Sequence, residues 1–131
     1  MEDPVICLDT SVLIDYFRKT SKANSYFYQL TNASKRFAVT SITMYEIVSG
    51  SNDKQRQFWE SVFDRMEVFN FDEHAAVQAA DIYQFLVRKN KVISIPDLFI
   101  GSIAVTNDLK LATLNRKHFE RIPGLQFISP K

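Results

Sequence analysis

Cysteine is almost absent from this sequence: Cys7 stands alone in 131 residues. One thiol cannot close an internal disulfide, and its place between Ile6 and Leu8 predicts a reduced, buried side chain. Histidine is scarce too, with only His74 and His118 present, and neither falls at a spacing that zinc requires. Three glycines and four prolines leave little material for linkers, so a single domain over residues 1–131 is expected. No run of about 18 apolar residues occurs, and Met1-Glu2-Asp3-Pro4 opens no basic-then-apolar leader. These absences together predict a soluble, cytoplasmic protein with no membrane partner.

An excess of one charge is missing as well. Sixteen basic residues stand against fifteen acidic ones, for a net charge of +1. Such a field is too weak to draw in a polyanion at long range. Nucleic acid could be bound only through local basic clusters or bound cations. The candidate clusters are Arg18-Lys19 with Lys22, and Arg116-Lys117 with Arg121; each can equally be a solvated surface.

What the chain does contain is a regular alternation. Val5-Ile6-Cys7-Leu8 is apolar on both alternating faces, as in a central parallel strand covered on each side. Further strands are expected at Phe37–Val39, Val68–Phe71, Leu109–Thr113 and Leu125–Ile128. Between them run helical patterns: Val12 to Phe17, Ser25 to Leu30, Thr43 to Val48, Gln55 to Met66, and Ile95 to Val105. Another long helix follows Asp72, where Ala76, Val77, Ala80, Tyr83 and Val87 recur at helical intervals up to Arg88-Lys89. Parallel neighbours need crossovers of about a dozen residues, so the fold class is α/β. The expected architecture is a mostly parallel sheet of four to five strands with helices on both faces.

In such sheets ligands bind beyond the carboxyl ends of the strands. Asp9 sits at one end, Glu46 shortly after the second strand, and Asp97 at the head of the helix leading into the fourth. If the three share one rim, their mutual repulsion calls for a cation. Oxygen donors without soft partners suit Mg²⁺ or Mn²⁺. Each acid also has a structural reading: Asp9 as an N-cap, Thr43-x-x-Glu46 as a capping box, and Ser94-x-x-Asp97 as its short-armed variant. Thr10 and Ser11 could bond Asp9 or an RNA phosphate, or merely cap a helix. Asn115 could lend its carbonyl oxygen to a metal or simply make a turn. Asp15 and Asp81 read as solvated helix positions, and His118 as a surface or packing residue.

The octapeptide Leu8-Asp9-Thr10-Ser11-Val12-Leu13-Ile14-Asp15 resembles the opening motif of PIN domains, especially the VapC toxins of toxin–antitoxin pairs. Thr43-Met44-Tyr45-Glu46 resembles the second family motif and Ile95-Pro96-Asp97-Leu98-Phe99-Ile100-Gly101 the third. Leu111-Ala112-Thr113-Leu114-Asn115, Phe119 and Pro123-Gly124-Leu125 resemble the C-terminal signature. The resemblance implies a cytoplasmic endoribonuclease that uses Mg²⁺ or Mn²⁺, often as a homodimer, and is silenced by a cognate antitoxin. Asp9, Glu46 and Asp97 match the family's three principal acidic positions and are expected to be catalytic and to hold the metal. From the residues alone, Asn115 is a further candidate ligand, and Thr10, Ser11, Arg116 and Lys117 are candidate RNA contacts. The sequence also departs from the family pattern: Asn115 and His118 occupy places where a fourth acid is often found, which lowers the negative charge available for a second ion.

Two other readings compete. A receiver-type phosphoacceptor domain uses strand-end acids too, but needs paired acids at the first strand and a Lys after a late one, whereas Leu8 precedes Asp9 and Asn115 follows the fourth. A catalytically silent PIN-like binding module would also account for the missing fourth acid. The clustered aromatics Tyr16, Phe17, Tyr26, Phe27 and Tyr28 are expected to bury in part against an antitoxin or a second copy.

Overall fold

The central strand is β1 (Val5–Leu8), and its two faces set the architecture. Ile6 and Leu8 point into one core and Cys7 into the other, the period-two alternation of an extended chain. The structure is a computed structural model that describes residues 3–128. Around β1 lie β2 (Arg36–Thr40), β3 (Glu67–Phe69), β4 (Lys110–Ala112) and β5 (Gln126–Phe127), in the order β3-β2-β1-β4-β5. Every neighbouring pair is parallel, so the sheet is wholly rather than mostly parallel.

One face is covered by α1 (Thr10–Arg18), a 3-10 turn at Lys22–Asn24, α2 (Tyr26–Leu30), α3 (Ser41–Ser49) and α4 (Asp53–Phe63). Its core joins Ile6, Leu8, Val12, Leu13, Val39 and Trp59. The other face is covered by α5 (Glu73–Arg88), α6 (Ile95–Thr106) and α7 (Arg116–Phe119). Cys7, Ile82, Leu86, Ile100, Leu111 and Phe119 fill the space beneath them. Cys7 is a free, fully buried thiol, with burial pushing its pKa up to about 12.

The helix ends follow from their sequence. Asp9, Thr40, Asn52, Asp72 and Ser94 each accept a hydrogen bond from a backbone N–H of the first turn they cap, satisfying donors that the helix itself cannot. Pro96 sits in the first turn of α6, where its missing N–H costs nothing.

Two expectations are corrected. The cap of α3 is Thr40, so Thr43-x-x-Glu46 is no capping box and the Glu46 carboxylate is released for other contacts. On α5, the buried residues are Ala75, Ala79, Ile82 and Leu86. The stripe Ala76, Val77, Ala80, Tyr83 and Val87 faces outward instead, with Val77 64% exposed. Both stripes have helical spacing, and packing against α6 chooses between them. The short α7 was not foreseen.

The strand order places the topological switch between β1 and β4. The chain winds outward through β2 and β3, then returns to add β4 and β5 on the other side of β1. The crevice at such a switch opens beyond the strands' carboxyl ends, where Asp9 and Thr113 emerge side by side.

Candidate active site

Asp9 follows β1 directly and is 3% exposed. Its Oδ1 accepts hydrogen bonds from the Ser11 hydroxyl at 2.6 Å and the Val12 N–H at 3.2 Å, and its Oδ2 accepts one from the Thr113 hydroxyl at 2.6 Å. Burial pushes the Asp9 pKa up; the bonds from Ser11, Thr113 and Val12 oppose this, and the nearby Asp97 charge adds to it. No Lys or Arg pairs with it among the described residues. Asp9 is therefore both a helix cap and a buried carboxylate beside a second acid, a cost that a bound cation would relieve.

The neighbouring residue ties in the second acid. Thr10 donates a 2.6 Å hydrogen bond to Glu46 Oε1 and lies 3.3 Å from the Thr43 hydroxyl. Glu46 is half-buried on α3 at the carboxyl end of β2. Asp97, on the first turn of α6, has its Oδ2 3.6 Å from His118 Nδ1. His118 is at the surface, as expected, and also faces an acid of the site.

The convergence is looser than the sequence suggests. Among the described residues, no three His, Cys, Asp or Glu side chains form a ready-made metal cage. Asp9 and Asp97 lie within electrostatic reach, while Glu46 approaches through Thr10. This still suits Mg²⁺ or Mn²⁺: Mg²⁺ keeps several waters and binds proteins through one or two carboxylates plus substrate phosphate. The donor set is all oxygen apart from His118.

Asn115 donates its backbone N–H to Thr113 Oγ1 at 2.9 Å, and Leu114 donates its own to Ser11 Oγ at 3.0 Å. The loop after β4 is thereby laced to the Asp9 corner. Thr113 is a site residue that the acidic pattern does not single out. Its place immediately after a strand's carboxyl end was a sufficient signal, but a β-branched residue there also reads as strand. The basic candidates separate. Lys19 pairs with Asp15, and Lys22 Nζ donates to the Tyr16 and Phe17 carbonyls, so both serve α1. Arg18 lines a cleft with Glu46. Arg116 and Lys117 are exposed beside Asn115. Asp15 is not merely solvated: its Oδ2 accepts the Tyr26 N–H and fastens α2 to α1.

A family model described as the PIN domain matches residues 6–125, nearly all of the chain and every element of this corner. The chain belongs to the PIN domain family. This PIN domain is 34% identical over 122 residues to Ribonuclease VapC1 of Methanocaldococcus jannaschii, covering 92% of this chain and 83% of that protein. Among solved structures, DNA-bound VapBC from Salmonella typhimurium superposes with a TM-score of 0.84 at 25% identity, covering 95% of this chain and 97% of that one. A toxin–antitoxin complex from Klebsiella pneumoniae superposes with a TM-score of 0.74 at 25% identity, covering 96% and 98%.

Proposed function

We propose that this PIN domain is a metal-dependent endoribonuclease and the toxin of a type II toxin–antitoxin pair. The observation that carries the reading is the Asp9 corner: a carboxylate 3% exposed, beside Asp97, held by hydroxyls and matched by no described cation. The ribonuclease name of its relative and the toxin–antitoxin complex among its structural neighbours support it.

In this reading Asp9 and Asp97 hold Mg²⁺ or Mn²⁺, with Glu46 completing the shell or orienting the attacking water, and Asn115 offering its side-chain oxygen. The bound ion supplies Lewis-acid polarisation of the phosphate and a lowered water pKa. The protein's own work is orientation. Ser11 and Thr113 direct protons at both Asp9 oxygens, which favours the ionised form and offsets part of the cost of its burial. Thr10 holds Glu46 to the same corner. Thr10 and Ser11 are already hydrogen-bonded within the site, so contact with the RNA strand falls chiefly to Arg116 and Lys117.

The same reading assigns the protein to the cytoplasm together with its RNA substrate; among the described residues no helix is long and apolar enough to cross a membrane. A second copy would cover the outward α5 stripe of Val77, Tyr83 and Val87, which are 64%, 43% and 48% exposed. Part of the aromatic cluster packs within the domain, in the pairs Tyr16–Phe27 and Phe17–Trp59, although Phe17 is still 37% exposed. Tyr28 remains 53% exposed for an antitoxin.

Incubation of the purified chain with structured RNAs, with Mg²⁺ and with a chelator, tests the reading. Metal-dependent cleavage that disappears in Asp9→Asn supports it. A silent binding module would show neither Mg²⁺-dependent stabilisation nor RNA cleavage, and a receiver-type domain would take up label from a phosphoryl donor.

A further inference from the structure

Arg116 is the first residue of α7 and directly follows Asn115, which is linked through Thr113 to Asp9. Its guanidinium carbon lies 4.4 Å from the centroid of the half-buried Phe127 ring on β5. An aromatic face at that distance attracts the guanidinium and restrains an otherwise flexible side chain, while its N–H groups stay free to donate. The residue itself is exposed, and among the described residues its side chain makes no ion pair or hydrogen bond. Arg36 and Arg56, by contrast, each face a glutamate.

A third side chain locates this stack relative to the acids. The Tyr26 hydroxyl reaches the carbonyl of Ile128 at 3.4 Å, so α2 closes over the end of β5. Burial raises the Tyr26 pKa, the Arg116 charge lowers it, and the Asp9 charge raises it again. Tyr26 therefore stands within electrostatic reach of both. The guanidinium thus lies over the Phe127 ring, on the residue next to the Asn115 turn that is laced to Asp9.

We propose that Arg116, braced on Phe127, is the RNA phosphate seat next to the scissile position, the residue that sets the strand's register against the acidic corner. The inference rests on the nuclease reading and deepens it by naming a substrate-positioning residue. It also meets the problem posed by a net charge of +1: one preorganised cation at the rim does what the overall field cannot. A planar fork suits a phosphate's oxygens in a way that an ammonium on a flexible stem does not. Lys117, its neighbour on α7, has no such brace among the described contacts.

The test uses a fluorescent single-stranded RNA oligonucleotide and the full chain carrying Asp9→Asn, in chelator, so that binding is read without cleavage. Adding Arg116→Ala should weaken binding about tenfold and reduce the slope of log affinity against log salt by about 0.7, one single-strand phosphate contact. Arg116→Lys should restore the slope but not the affinity, and Phe127→Leu should weaken binding while leaving the slope intact. Lys117→Ala serves as the charge control and should change affinity less than Arg116→Ala. Equal losses in Arg116→Ala and Lys117→Ala, or an unchanged slope in Arg116→Ala, would overturn the proposal. If the parent binds RNA and the wild type cuts it while Arg116→Ala loses nothing, the phosphate seat fails and the nuclease reading stands. If the wild type neither binds nor cuts RNA, both fail.

Discussion

The Thr113 hydroxyl donates a 2.6 Å hydrogen bond to Asp9 Oδ2 across 104 residues of chain. It joins the ends of β1 and β4 at the topological switch, and the same Oγ1 accepts the Asn115 N–H. Thr113→Val removes the donor while keeping the shape. The bond lowers the Asp9 pKa, so its loss should shift the acid limb of the activity profile to higher pH, together with about 1 kcal/mol of lost stability. A pH–rate profile beside denaturant unfolding checks both.

Asp9 also predicts an unusual pH dependence of folding in the metal-free protein. Its folded pKa is raised above the ordinary carboxyl value, chiefly by burial. A raised carboxyl pKa means that the folded state binds the proton more tightly than the unfolded one. Asp9's contribution is then favourable below about pH 3.8 and is lost as pH rises through its folded pKa. Between those limits, the melting temperature of Asp9→Asn minus that of the wild type should grow as pH rises. A difference independent of pH would contradict the burial argument.

Divalent cations should act on the same residue. Mg²⁺ or Mn²⁺ added at neutral pH should raise the melting temperature of the wild type by linkage, and much less that of Asp9→Asn or Asp97→Asn. Differential scanning fluorimetry across a metal titration reads this without RNA. Equal shifts in all three proteins would place any bound ion elsewhere.

Gly101 packs α6 against the turn after α7. A Cβ there would collide with Cδ1 of Ile122, which is 3% exposed, and touch Phe119. Gly101→Ala sets about 1–3 kcal/mol of overpacking against about 1 kcal/mol of gained helix propensity. Ile122→Val, which removes the colliding methyl, should make the double variant more stable than the two single changes add to. Urea unfolding of the four proteins provides the cycle; simple additivity would contradict the contact.

The outward α5 stripe yields a test of assembly. Val77→Asp, at a position 64% exposed, should change the stability of the isolated fold by less than about 0.5 kcal/mol. It should nevertheless weaken self-association strongly, because a charge would be buried in the interface. Sedimentation across a concentration series distinguishes an intact dimer from a broken one.

That stripe also shows where sequence reasoning reaches its limit. β1 was legible because Val5 to Leu8 is apolar at every position, which only a strand covered on both sides requires. On α5 two apolar stripes run in parallel, Ala75-Ala79-Ile82-Leu86 and Ala76-Val77-Ala80-Tyr83-Val87, and periodicity alone cannot assign the phase. α7, with four residues, is too short to show any period. In the site, the strand-end position of Asp9 was readable, as was the order of the motifs. Ser11 was readable as a partner of Asp9, two residues away, and Thr113 carried the strand-end signal. The bond from Thr10 went to Glu46 rather than Asp9, because that contact and the one from Thr113 to Asp9 span chain separations that spacing does not encode. The same holds for Arg116 on Phe127.

The central claim is that the Asp9 corner cuts RNA with a divalent cation. Its most direct measurement is the cleavage rate of a defined structured RNA in Mg²⁺ or Mn²⁺ for the wild type and Asp9→Asn, each repeated in chelator. The account predicts cleavage by the wild type only with metal, and a loss of about a thousandfold or more in a folded Asp9→Asn protein. Cleavage that persists in chelator, or an Asp9→Asn protein as active as the wild type, would contradict it.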